Sequence, residues 1–340
     1  MKSTLFTKHL CSYMEEYLPN VRSYSKNTIF SYQDTFRLLE EYMLEKHGIK
    51  PYLLDYKHFS EERILGFLEW LTAEQNSCAA TCNQRLSAMS AFFKYASMRC
   101  VPAMKICITV ANIPQKKVHR KPFSYFSVEE LGVLFQMPNP KKPLELRDLV
   151  LLCVLYDSGA RAHELCDLTL KDVHFGKQSH VVLHGKGGKT RVVPLMDRPA
   201  KMLKDYIAKN LERPALKENA IFVNQRHEAI TPACIRNLLQ KYVDRARESR
   251  PDLFQAESYS PHSLRHSKAV HMLEAGVDLV FIRDFLGHAS IQTTEIYATV
   301  SQALLEKTLR DRTIPTFSAS TDAETIAESV PEFLRRQRNK

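Results

Sequence analysis

The chain has 340 residues, of which 44% are hydrophobic and 25% charged, a globular balance that excludes a fibre, a low-complexity chain or wholesale disorder. At roughly 150 residues per domain the length suggests about two domains, large enough to fold without disulfide or metal staples. Lys and Arg number 48 against 38 Asp and Glu, a formal charge of +10, which favours a polyanionic partner such as nucleic acid or an anionic membrane.

The first third reads as helices. Leu10, Tyr13, Met14, Tyr17 and Leu18 recur at helical spacing, as do Ile29, Tyr32, Phe36, Leu39 and Met43. Ile64, Phe67, Leu68 and Leu71 follow a start signal at Ser60, and a fourth helix is expected from Ala79 to Met98. No strand-like alternation of useful length precedes residue 110. Between Pro114 and Pro122 lie Lys116, Lys117, His119, Arg120 and Lys121 with no acidic residue. This Pro-bounded basic stretch reads as an exposed linker, either a solvated loop or a strap along a phosphate backbone.

A new helix opens at the capping box Ser127-Val-Glu-Glu130. An apolar helix is expected over Leu144–Ser158. His180–His184 and Thr190–Leu195 are β-branched runs joined by Gly185-Lys186-Gly187-Gly188-Lys189, which reads as a hairpin. Helices are expected over Pro199–Leu211 and Pro232–Glu248. Ser260-Pro261 supplies an N-cap and a proline at the first helical position, opening a helix that closes near Gly276. Asp278–Gly287 and Gln292–Leu309 read as helical. Beyond Asp311 the chain loosens, until Ile326, Val330, Phe333 and Leu334 form a short amphipathic helix behind a Thr321-x-x-Glu324 box. That helix can fold on its own domain or on a neighbouring subunit.

None of the eight cysteines forms a C-x-x-C pair, so they read as buried free thiols in a reducing cytoplasm. The longest apolar run, Leu149–Tyr156, is far too short to span a bilayer, and the N-terminus has no signal-peptide core. A cytoplasmic, nucleoid-associated protein without a membrane partner is expected.

Two motif readings fail. His262 and His266 stand four apart, but a zinc hydrolase helix places Glu after the first His, and here it is Ser263. Gly188-Lys189-Thr190 suggests a nucleotide loop, but Leu183 holds the place of its leading glycine and the following Arg191-Val-Val-Pro194 is strand-like. The remaining constellation fits phosphodiester chemistry without metal. Arg161 precedes Glu164, Lys186 sits at the hairpin tip, His262 and Arg265 share a helix face, and His288 and Tyr297 follow. Two arginines can clamp the non-bridging oxygens of a phosphate, and those bonds strengthen as charge grows in a five-coordinate transition state. A cationic cluster lowers the cost of forming a tyrosine phenolate, a histidine can accept its proton, and a lysine can protonate the leaving oxygen.

In order and spacing these residues resemble a tyrosine recombinase of the phage integrase and Xer type. The matching motifs are Ser158-Gly-Ala-Arg161-Ala-His-Glu164-Leu165, His184-Gly-Lys186-Gly, Pro194-Leu195, His262-Ser-Leu-Arg265-His266, and Leu286-Gly-His288 followed by Tyr297. The segment Arg85–Tyr95 resembles the last long helix of the family's N-terminal DNA-binding domain. The resemblance implies a mainly α fold with a small antiparallel β-sheet. It implies a helical, SAM-like core-DNA-binding domain over 1–113, a basic linker over 114–126, an α+β catalytic domain over 127–310 and a C-terminal tail over 311–340 that docks in cis or in trans.

By the same resemblance, Arg161 and Arg265 bind the scissile phosphate, and Lys186 is the general acid toward the 5′ oxygen, with Lys189 close enough to hold that role instead. His262 assists proton transfer with Tyr297, and His288 hydrogen-bonds the phosphate. Tyr297 forms a 3′-phosphotyrosyl link, and Glu164 supports Arg161. Arg85, Lys94, Lys116, Lys117, Arg120 and Lys121 are expected to contact DNA. Neither metal nor cofactor is implied. The partners implied are double-stranded DNA, further copies of the chain (a tetramer on two sites, a monomer or dimer on each, exchanging strands through a Holliday junction) and accessory recombination proteins. Lys268 departs from the family's small or polar residue after the second arginine. The absence of an arm-binding domain ahead of the helical one points to Xer-like or transposon enzymes, with integration or transposition of a mobile element ahead of chromosome or plasmid dimer resolution. A type IB topoisomerase and a non-catalytic DNA-binding regulator are the rival readings.

Overall fold

The computed structural model describes residues 3–118, 123–185, 188–210 and 220–298. The chain divides into two compact units, Met1–Lys121 and Pro122–Lys340.

Every regular element among the described residues of the first unit is a helix. Helix α1 (Leu5–Ser12) starts where the Thr4 side chain accepts the Thr7 N–H. It runs into a π-helical stretch, Tyr13–Val21, which contains Pro19. α2 (Lys26–His47) is capped by Ser25 and stops at Gly48, whose φ of 66° lies in the left-handed region that favours glycine. α3 (Glu61–Ala73) begins at the expected Ser60 cap, and α4 (Ala79–Ser97) follows. α5 (Val101–Asn112) was not expected from the sequence; its exposed Val101, Met104 and Ile108 blur the polar face that reveals an amphipathic helix. The core is dense in aromatic rings, with Phe6, Tyr13 and Phe36 all packed against Phe92 at centroid distances of 5.0–5.4 Å.

The second unit mixes helices with a three-stranded antiparallel sheet of order β1-β2-β3. It contains α6 (Val128–Leu134), α7 (Pro143–Ser158) and α8 (Ala162–Cys166). Then come β1 (Val173–His174), β2 (His180–His184) and β3 (Thr190–Pro194). The helices after the sheet are α9 (Asp197–Asn210), α10 (Pro232–Ser249), α11 (Pro261–Glu274), α12 (Leu279–Leu286) and α13 (Gln292–Ala298). α7 is the centre of this unit. It buries Val150, Leu151, Leu152, Val154 and Leu155, and also Asp148, Asp157 and Ser158. The expected hairpin is present, with His184 opposite Thr190, and Gly185 N–H donates to the Lys189 carbonyl across its base.

Two residues anchor the 114–126 stretch near its ends. Lys116 donates through Nζ to the Leu68 carbonyl and to Thr72 Oγ1, and its backbone N–H donates to Asn83, so it belongs to the helical unit. At the other end Phe126 is fully buried and its N–H donates to Ser267 Oγ. Charge and proline hid both anchors, because neither reports a hydrogen bond made by a distant helix. The cysteines are free but mostly not buried: Cys82 and Cys166 are, Cys11 and Cys78 are exposed, and the other four are half-buried. No helix among the described residues is long and apolar enough to cross a membrane. The tail helix at 321–334 and the second half of the Gln292–Leu309 helix lie outside the described residues.

Candidate active site

The site is built on helix ends. Gly159 closes α7 with φ 56°, and Leu286 is the last residue of α12, before Gly287 at φ 67°. Both leave carbonyls that no helical N–H satisfies, at the negative end of a helix dipole. Arg265, on α11, is 2% exposed and answers both: Nη1 donates to the Gly159 carbonyl and Nη2 to the Leu286 carbonyl, each at 2.6 Å. These bonds use two of the five N–H donors of a guanidinium. Burial and the neighbouring Arg161 and Arg191 push its pKa down to about 9, so it is still a cation at neutral pH, with unspent affinity for an anion.

Arg161 is the N-cap of α8. Its N–H donates to Glu164 Oε2 and its Nη1 to Glu164 Oε1, both at 2.8 Å. Glu164 has a fully buried side chain and also receives Arg191 bidentately, at 2.9 and 2.7 Å. Burial alone would raise the Glu164 pKa, but the hydrogen bonds from Arg191 and from the Arg161 backbone outweigh it and hold it at about 2. Arg191 Nε reaches the Phe285 carbonyl, so one carboxylate ties α8, β3 and α12 together. Gly287 makes room for this: a Cβ there would lie 3.0 Å from Arg191 Cδ.

A cleft of about 460 Å³ opens beside these residues, lined by Arg161, Lys189, Arg191 and His288, with Asp284 at its edge. His288 Nδ1 lies 2.9 Å from the hydroxyl of the buried Thr294. Burial, then Arg265 and Arg161, lower the His288 pKa to about 4, so it enters neutral and able to donate a hydrogen bond. Lys189 is exposed on the cleft wall; Lys186 lies outside the described residues.

Tyr297 comes from α13 and is 1% exposed. Its ring stacks on His288 at 6.4 Å and meets Phe123 edge-on at 5.4 Å. Burial raises its pKa, while Arg265 and Arg161 pull it back. The imidazole at hydrogen-bond distance from its hydroxyl is His266, with Nδ1 at 3.0 Å, whereas sequence reasoning coupled Tyr297 to His262. His262 stands one helical turn earlier and is exposed. Partial desolvation, then the nearby Arg265 and Arg161, lower its pKa. Arg161 and His288 therefore line the cleft, while Tyr297, stacked on His288, and Arg265 are buried next to them within the same chain.

Sequence reasoning missed Arg191, His266 and Thr294. Arg191 had a signal: it shares a face of β3 with the buried Val193, and a cation on the inward face of a strand needs a buried carboxylate. His266 was visible as a member of an i, i+4 pair but was weighed only as a metal ligand. Among the described residues no group of three or more His, Cys, Asp or Glu side chains could hold a metal ion. Lys268, the departure from the family pattern, donates to Asp157 at 2.9 Å in a largely buried pair. This explains a lysine there: Asp157 is buried in α7 and needs a cation.

The residues expected to contact DNA fare differently. Arg85 is bound to Asp34, the Ser31 carbonyl and Thr35 Oγ1. Lys116 is engaged as described, Lys94 and Lys117 are exposed, and Arg120 and Lys121 lie outside the described residues.

Residues 125–303 match the Phage integrase family, and residues 13–99 match the phage integrase N-terminal SAM-like domain. The chain is 30% identical over 307 residues to the tyrosine recombinase XerC of Bacillus subtilis, covering 88% of this chain and 95% of that relative. It is 31% identical over 307 residues to XerC of Pelotomaculum thermopropionicum, covering 86% and 94%. Among solved structures it is similar to the XerH site-specific recombinase bound to a palindromic difH substrate in a post-cleavage complex. That likeness has a TM-score of 0.66 at 21% identity over 88% of this chain and 84% of the other; at this identity it shows the fold.

Proposed function

The chain belongs to the phage integrase family and is a tyrosine site-specific recombinase; from that premise we propose that it cuts and rejoins duplex DNA with Tyr297 as nucleophile. The observation that carries this is the Tyr297 ring stacked on His288 of the cleft, whose wall Arg161 also forms, with Arg265 anchored between the ends of α7 and α12. In this reading the two arginines take the non-bridging oxygens, and their bonds shorten as the phosphorane charge develops. Neutral His288 and the exposed His262 add hydrogen bonds from the cleft side. A hairpin lysine, Lys186 or Lys189, protonates the departing 5′ oxygen. The products are a 3′-phosphotyrosyl link and a 5′ hydroxyl, and the link keeps the energy needed for rejoining.

Four copies on two sites, exchanging strands in pairs through a Holliday junction, complete the reaction as we propose it; the relative XerH is named as bound to its difH site. The test is a nicked DNA substrate that traps the covalent intermediate. Wild-type protein is expected to give a protein–DNA adduct attached at a 3′ phosphate, and Tyr297→Phe none. An adduct formed by the Phe variant would remove Tyr297 from the reaction. Relaxation of supercoils by a monomer without sequence preference would favour the topoisomerase reading. Mapping the attachment nucleotide on DNA flanking the gene separates integration from dimer resolution.

A further inference from the structure

Two histidines one turn apart on α11 compete for a role at the tyrosine, and the geometry separates them. His266 Nδ1 is 3.0 Å from Tyr297 Oη. Phe123 lies 4.6 Å from the His266 ring and 5.4 Å from the Tyr297 ring, a cover that keeps water off the pair. The His262 ring is 6.2 Å from that of His266, one turn nearer the start of the helix, and His262 is exposed.

We propose that His266 is the proton acceptor for Tyr297, while His262 serves the phosphate side. The proposal rests on the strand-cleaving reading above. The charged and titratable groups around His266 are His262 and Arg265 on its own helix, with Tyr297 and His288 from the C-terminal elements. Burial, then His262 and Arg265, lower the His266 pKa to about 4. It is therefore neutral at physiological pH, and a neutral ring protonated at Nε2 accepts at Nδ1.

In the cleavage step the Tyr297 proton passes from Oη to His266 Nδ1 and the phenolate oxygen bonds to phosphorus. The bond to the 5′ oxygen breaks, and that oxygen takes a proton from the hairpin lysine. Rejoining runs the reverse course: the 5′ hydroxyl returns its proton to the lysine, and the leaving phenolate recovers its own from His266. An imidazolium beside Arg265 is costly, but the phosphoryl group gains negative charge at the same moment and offsets it.

The experiment measures single-turnover cleavage of the nicked substrate against pH for wild type, His266→Ala, His266→Gln and His262→Ala, with Tyr297→Phe as the control for the reading itself. The expected loss in both His266 variants is about 10²–10⁴-fold. Their rates should rise with pH as hydroxide replaces the missing base, where wild type is level, and added imidazole should restore part of the activity of the Ala variant. His262→Ala should lower the rate without tilting the profile. The Gln variant keeps a polar side chain of similar reach, so it guards against simple misfolding, and melting temperature and DNA binding are read alongside. A His266 variant at wild-type rate overturns the proposal, as does a slow variant with a level profile and no imidazole rescue. Adduct formation by the Tyr297→Phe control would instead undo the underlying reading and leave a distinct signature.

Discussion

Glu164 is the side chain on which the pocket's cations depend. It is buried, accepts four hydrogen bonds from Arg161 and Arg191, and its pKa sits at about 2 instead of 4.5. A carboxyl depressed in the folded state stabilises it above about pH 4.5, and that contribution, about 3 kcal/mol, is lost as the pH falls toward 2. Glu164→Gln leaves two arginines without their counter-charge, for a loss of about 3–5 kcal/mol near neutrality. Urea midpoints should therefore differ strongly between wild type and variant at pH 7 and converge only as the pH approaches about 2. A second measurement at this scale resolves the general acid. A substrate with sulfur in place of the bridging 5′ oxygen needs no proton to leave. It should restore cleavage to whichever of Lys186→Ala and Lys189→Ala removed the acid, and leave the other variant's rate unchanged relative to the normal substrate.

Secondary-structure elements matter here through their ends. Arg265 is oriented by two helix C-termini, at Gly159 and Leu286. Gly159 has φ 56°, and a Cβ there would lie 2.9 Å from Leu286 Cδ2 and 3.0 Å from Phe285 Cε1. Gly159→Ala thus combines left-handed strain of about 1 kcal/mol with crowding of the carbonyl pair that holds Arg265. The expected result is a melting temperature lower by several degrees and a loss of covalent adduct larger than the lost stability explains, read by thermal unfolding and the nicked-substrate assay. Helix starts were legible in sequence at Ser60, Ser127 and Ser260, because capping is local chemistry. α5 and the two-residue β1 were not, since neither carries a clear period.

For the whole chain, the charge of +10 predicts DNA binding that weakens steeply with salt, with a log–log slope of about −0.9 for each phosphate neutralised. Lys117 is exposed, so Lys117→Ala should make the slope shallower by roughly one phosphate's worth. Arg85 is committed to Asp34. Arg85→Ala should therefore leave the slope alone and lower the stability of the first unit. Affinity measured across a salt series, with melting curves on the same proteins, checks both.

The sequence by itself determined the mainly helical class, the antiparallel hairpin and the family, and singled out Arg161, His262, Arg265, His288 and Tyr297 as candidates, because motif spacing along one helix or turn is a local property. Only the tertiary structure decided that Arg191 completes the Glu164 clamp, that Arg85 and Lys116 serve the fold, and that His266 meets the tyrosine. Each of these depends on contacts between residues 27 to 54 positions apart. Chain order carries little information about such contacts until packing brings a buried charge or hydroxyl to the one partner that can satisfy it.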